Sequence, residues 1–268
     1  MRALALVLVL VAAPAVGHEL WLEPQDYMVD PEATVMADIV NGESFAGPKI
    51  PYLPQRFAHF VMFSDGRAVE VPGRVGDMPA LNMAPPGEGL AVVAYQANDA
   101  TVDYETWEKF ASFAEHKGFG DVLPRHLERG LPRDGFKEVY SRYSKTLVAV
   151  GSGAGADMRT GLETEIVALT NPYTDDLSGG MRFQLFYRDD VRANARFEVF
   201  AKAPDGTVTQ TFYETDADGI ATVPVEPGVS YMADAVVLRE PNAQVEADTG
   251  GVWETLWANM TWAVPAAE

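Results

Sequence analysis

Arg196–Tyr213 reads RFEVFAKAPDGTVTQTFY. Two runs of alternating apolar and polar residues, Arg196–Ala201 and Val208–Tyr213, flank Pro204-Asp205-Gly206. Asp-Gly between two such runs is a strong β-hairpin signal, because glycine supplies the positive φ of a tight turn. The same pattern extends in both directions. Upstream, Glu163–Leu169 and Arg182–Arg188 read as strands. Downstream, Asp216-Ala217-Asp218-Gly219 marks another turn, followed by strands at Ala221–Val225 and Ser230–Leu238 and a closing strand at Trp253–Val264. Short strands with regular turn signals predict a β-sandwich over 160–264.

The segment before it, Gly151–Gly155 (GSGAG), is small and glycine-rich, and is the expected boundary between two units. Residues 18–150 show the same strand grammar at Ala33–Val40, Arg56–Phe63, Ala68–Val71, Gly89–Gln96 and Thr146–Val150, with Ser64-Asp65-Gly66-Arg67 as a hairpin turn. The period changes between them. Tyr104, Trp107, Phe110 and Phe113 recur every third residue among charged neighbours, which predicts a helix over Val102–His116 closed by Gly118. Val139, Tyr140 and Tyr143 predict a second helix over Phe136–Lys145. The expected fold is mainly β: two β-sandwich-like units, the first holding a helical insertion at about 102–145.

The chain has 268 residues and no cysteine, so its stability rests on a packed core rather than on disulfides. Its 39 acidic and 20 basic side chains give a formal charge of −19. That excludes nucleic acid as a partner, which needs a basic face, and favours cations by long-range attraction. The first 17 residues, MRALALVLVLVAAPAVG, combine Arg2, an apolar run from Leu4 to Ala13, and small residues at Ala15 and Gly17. This is the pattern of a secretory signal peptide, and the run is too short to span a bilayer. No later stretch is long and apolar enough to span one either. The expected location is therefore periplasmic or secreted, with cleavage after Gly17 or, in the competing reading, after Ala15.

Cleavage after Gly17 makes His18 the first residue. Its free amine and ring Nδ1 then close a six-membered chelate ring around one metal ion. The amine has a reference pKa near 8, so a metal displaces its proton readily at neutral pH. Nitrogen donors suit Ni(II), Co(II), Cu(II) and Zn(II). His59, His116 and His126 are the other imidazoles, and with His18 they form the candidate metal set. His59, on a strand face with Phe57, Val61 and Phe63, has the alternative of an ordinary hydrogen-bonded histidine, and His116 and His126 approach His18 only if the fold brings them there, because their spacing alone does not. Thr215-Asp216-Ala217-Asp218-Gly219 lacks the distal glutamate of a calcium loop and reads as a hairpin turn. The chain has no Gly-x-Ser-x-Gly elbow, so nucleophilic catalysis has no support. Trp253 and Trp257 fall on one face of the closing strand and Trp262 on the other; the core explains at least two of them.

Six segments together resemble the DUF4198 family of secreted bacterial proteins. They are HELWLEP at 18–24, the helix carrying Glu105 and Trp107, EVYSRYSKTLV at 138–148, Asn171-Pro172-Tyr173, TDADG at 215–219 and WETLWANMTW at 253–262. The resemblance implies a C-terminal immunoglobulin-like or transthyretin-like module and a periplasmic role in nickel or cobalt uptake, with a membrane metal transporter as partner. Only His18 matches a family position. Some relatives carry a C-terminal membrane segment, which Pro265-Ala266-Ala267-Glu268 does not supply. The expected function is thus a non-enzymatic divalent-metal accessory protein, with nickel or cobalt as its metal. The alternatives are a copper histidine-brace enzyme acting on polysaccharide and a metal-free interaction module.

Overall fold

The computed structural model describes residues 18–267; the expected leader lies outside them. The strands of the first half are β1 (Glu19–Pro24), β2 (Met28–Val29), β3 (Val35–Gly42), β4 (Lys49–Ile50), β5 (Phe57–Ser64), β6 (Arg67–Glu70), β7 (Leu81–Met83), β8 (Gly89–Ala97) and β9 (Ala100–Tyr104). Helices α1 (Trp107–Lys117) and α2 (Val122–Glu128) follow, and then the long strand β10 (Phe136–Val150). The second half contains β11 (Thr164–Ala168), β12 (Met181–Tyr187), β13 (Asp190–Val191), β14 (Arg196–Lys202), β15 (Val208–Glu214), β16 (Ile220–Val223), β17 (Ser230–Arg239), α3 (Ala243–Thr249) and β18 (Gly251–Ala263). The fold is mainly β, and the hairpin β14–β15 pairs in the register expected around Asp205-Gly206.

One long sheet runs β15-β14-β17-β18-β10-β8-β5-β6, with β2 and β9 also pairing to β10. Two small sheets cover it, β1-β3-β4 with β7 on β3, and β11-β12-β13 with β16 on β12. Strands β8 and β10 show how both are served. Leu90, Val92 and Leu147 enter one core with Phe183, Phe197 and Trp262. The alternate residues Ala91, Val93 and Val148 enter another with Leu22, Ile39 and Met62. Since successive side chains point to opposite faces of a strand, the small sheets lie on opposite faces of the long one. Each leucine, valine or phenylalanine so buried stabilises the fold by roughly 1.5–3 kcal/mol.

Helix α1 buries Phe110, Phe113 and Ala114 against Trp253, Trp257 and Val236. It ends at Gly118, whose φ of 78° is left-handed and whose N–H returns to the last carbonyls. Trp253 and Trp257 do share one face, and Trp262 packs in the core on the other. Two expectations need correction. Residues 100–104 are strand, so the first helix begins at Trp107 rather than Val102. Phe136–Lys145 is not helical but forms the first part of β10, and the second helix is Val122–Glu128. The physical reason is burial on both faces. Over this stretch β10 is paired with β9 and β18, and successive residues are buried, polar ones included, so alternation no longer marks it as a strand.

Gly151–Gly155 is a bound turn. The carbonyls of Gly153 and Gly155 accept from Asn171 Nδ2 at 2.8 and 3.0 Å, and the Leu90 N–H donates to Ala154. β18 pairs in parallel with β10, so the long sheet passes through both halves of the chain.

Candidate functional site

His18 stands immediately before β1. In the antiparallel pair β1–β3, Glu19 faces Gly42, so one further step places His18 opposite Glu43. Its Nδ1 lies 3.5 Å from Glu43 Oε1, and its side chain is 57% exposed. The backbone is held from below: Arg142 of β10 donates from Nε to the His18 carbonyl at 3.0 Å, and from Nη2 as well. The Arg142 guanidinium in turn lies over Tyr140 and Trp257, 4.3 and 5.3 Å from their ring centres.

His18 and Asn41 form one rim of a cleft of about 380 Å³. Its floor is the face of β10 carrying Glu138, Tyr140 and Arg142, with Trp257 beside them; β9 and the approach to α1 supply Asp103, Tyr104, Glu105 and Lys109. Glu138 is buried among hydroxyls. Tyr104 donates to its Oε2 at 2.9 Å, and Thr255 donates to Oε1. Burial pushes its carboxyl up to about 7, against the pull of those donors and of Arg142. At neutral pH it therefore exchanges a proton readily.

Behind the cleft a second cluster fixes the start of β1. Lys117, the last residue of α1, points its ammonium at Glu19 Oε1 (3.3 Å), Glu198 Oε2 (2.6 Å) and Asp234 Oδ2 (2.9 Å), and lies 4.7 Å from the Trp257 ring centre. Burial works to lower the Lys117 ammonium, but the three carboxylates hold it above its ordinary value. They do not share it equally. Burial pushes Glu19 up to about 8, with the charges of Asp234 and Glu198 adding to the effect. Burial also opposes charge on Glu198, yet hydrogen bonds from His116 and Lys117 bring it down to about 2. Asp234 is raised by burial, and its Oδ1 has no partner. These three acids are the one group of three or more potential metal ligands among the described residues, and Lys117 already sits among them.

The four histidines have separate environments. His18 is on the rim. His116 meets Glu198 at 3.0 Å, is 28% exposed and packs against Phe212. His126 is fully buried: Trp253 Nε1 donates to its Nδ1 at 2.9 Å, and its Nε2 reaches the Pro132 carbonyl at 2.8 Å. Both of its nitrogens are engaged in the core. His59 lies on β5, and its Nε2 is buried without a partner. The ligand group around Lys117 contains no histidine. Sequence reasoning missed Glu138, Arg142 and Lys117. The available signal was charged residues set in apolar and aromatic runs, such as Glu138 and Arg142 in EVYSRYSKTLV.

A family model described as a domain of unknown function, DUF4198, matches residues 15–239. No curated protein matches the chain. A solved structure described as a tetra-tandem repeat in the extending region of a large adhesion protein aligns over 91% of this chain at 12% identity and a TM-score of 0.20. This chain spans about half (49%) of that one. A likeness that weak carries no functional argument. No described helix is long and apolar enough to cross a membrane.

Proposed function

The chain belongs to the DUF4198 family, and from that premise we propose that it is a periplasmic accessory protein that binds a divalent transition metal at His18. Nickel or cobalt is the metal that the family resemblance implies, and delivery to a membrane transporter is the corresponding role. The observation that supports this reading is the fixing of His18. A chain terminus is ordinarily loose unless tied down. Here the His18 carbonyl is gripped by Arg142, and Glu43 stands 3.5 Å from Nδ1. Trimming after Gly17 adds an amine, so imidazole, amine and carboxylate would converge on one point. Two nitrogens and one oxygen suit nickel, cobalt, copper or zinc. The oxidative alternative requires a second histidine beside His18, and no observation favours it: His116 and His126 are committed elsewhere.

The chain carries a formal charge of −19, which draws cations toward its surface. Release follows acidification, because amine and imidazole must lose their protons to bind.

The test is calorimetric titration with Ni(II) and Cu(II) of protein beginning at His18, beside protein with one extra residue before it. The extra residue is expected to weaken binding at least ten-fold, and Glu43→Ala to weaken it less. Equal affinity with and without the extra residue would remove His18 from the site.

A further inference from the structure

The cleft beneath His18 has a polarity that a metal site does not use. Glu138, Tyr140 and Arg142 alternate along β10 and so share one face, and Trp257 stands opposite Arg142 in the ladder with β18. Tyr104, bonded to Glu138, closes the Glu138 end, where Glu105 is paired with Lys109 at 3.0 Å. His18 lies at the Arg142 end. One end of the floor therefore carries the carboxyl of Glu138 and the other the guanidinium of Arg142. Four residues of strand place the two ends about 13 Å apart at the backbone, before their side chains reach inward. Tyr140 and Trp257 occupy the middle.

Neither end is exhausted by its internal contacts. Arg142 uses Nε and Nη2 on the His18 carbonyl, leaving Nη1. Glu138 accepts one hydroxyl on each oxygen, and a carboxylate oxygen takes two donors. A dianion would meet Glu138, and a simple cation would meet Arg142. A molecule with a positive and a negative group satisfies both ends. The volume, about 380 Å³, lies in the range of small-ligand sites.

The geometry points to a binding site for a small zwitterion, a free α-amino acid, with its ammonium at Glu138, its carboxylate at Arg142 and its side chain against Tyr140 and Trp257. This site stands whether or not His18 binds metal. The test uses metal-stripped protein beginning at His18, titrated calorimetrically with each of the twenty amino acids and with acetate, methylamine and glucose as controls. At least one amino acid is expected to bind one-to-one, at least ten-fold more tightly than any control. Glu138→Gln and the half-buried Tyr140→Ala should each weaken that binding about ten-fold, while Arg67→Ala, on exposed β6 outside the cleft, leaves it unchanged. Should Glu138→Gln fail to fold, the half-buried Tyr140→Ala carries the test on its own. The site is overturned if no amino acid exceeds the controls, or if the folded variants bind as the parent does. A nickel titration of the same preparation reports separately on His18, so the two readings fail independently.

Discussion

Lys117 and Lys145 are both buried, and both are held by carboxylates, but their surroundings differ. Lys145, in β10, contacts Asp157 at 2.8 Å and Glu165 at 3.1 Å, and donates to the carbonyls of Met158 and Ile166. Arg159 adds a second positive charge on Glu165. Backbone N–H groups of Met158 and Ala168 complete Asp157, and that of Thr160 serves Glu165. Charges balance there, and every acid has donors besides the lysine. Around Lys117 three acids face one ammonium, His116 serves only Glu198, and Asp234 keeps an oxygen without a partner. Burying ions is costly unless each is paired and hydrogen-bonded. The first cluster meets that condition as built. The second meets it only when Glu19 carries a proton.

Three measurements test this contrast. Lys145→Met leaves Asp157 and Glu165 with Arg159 as their one remaining cation, and should cost about 3–5 kcal/mol in urea unfolding, with little change between pH 5.5 and 8.5. Lys117→Met should cost less at pH 5.5, on the order of 1–2 kcal/mol, because Glu19 and Asp234 take up protons, and should cost more at pH 8.5. Losses of equal size with no pH dependence would make the two clusters alike.

The third measurement concerns Glu19 alone. Its folded value, about 8, lies above its ordinary 4.5, so between those limits the folded chain holds a proton that the unfolded chain has released. That stability is complete below about pH 4.5 and is lost as pH rises through 8, by up to about 1.4 kcal/mol per unit. Glu138, raised to about 7, acts in the same direction. Glu19→Gln should therefore flatten, without abolishing, the fall in melting temperature between pH 5 and 8. The readout is about 2–4 °C per kcal/mol for a chain of this size. An unaltered slope would mean that Glu19 is already ionised in the fold.

The hairpins could be read directly, because Asp205-Gly206 and its counterparts act locally on the backbone, and the alternation around them survives wherever one strand face is solvated. Phe136–Lys145 could not. Its neighbours β9 and β18 lie on either side and nearly all its residues are buried, so its polar residues are tertiary in origin and carry no period. The candidate site was half visible. His18 stands out as the residue after an apolar run and two small residues, Ala15 and Gly17. Its anchor, Arg142, is 124 residues away, and nothing local in either segment announces the pairing. His126 shows the converse. A histidine that satisfies both nitrogens in an aromatic core looks, in sequence, like one that binds metal.

The placement of β18 has a consequence for assembly. Gly251–Ala263 sits at the middle of the long sheet, between β17 and β10, yet every other strand of that sheet precedes it in the chain. A growing polypeptide thus has flanking ribbons ready but no keystone until β18 itself has been made. Contacts between such distant segments form slowly, since the intervening loop must close first. The two halves lock only with that late insertion, which leaves the newborn chain open until then.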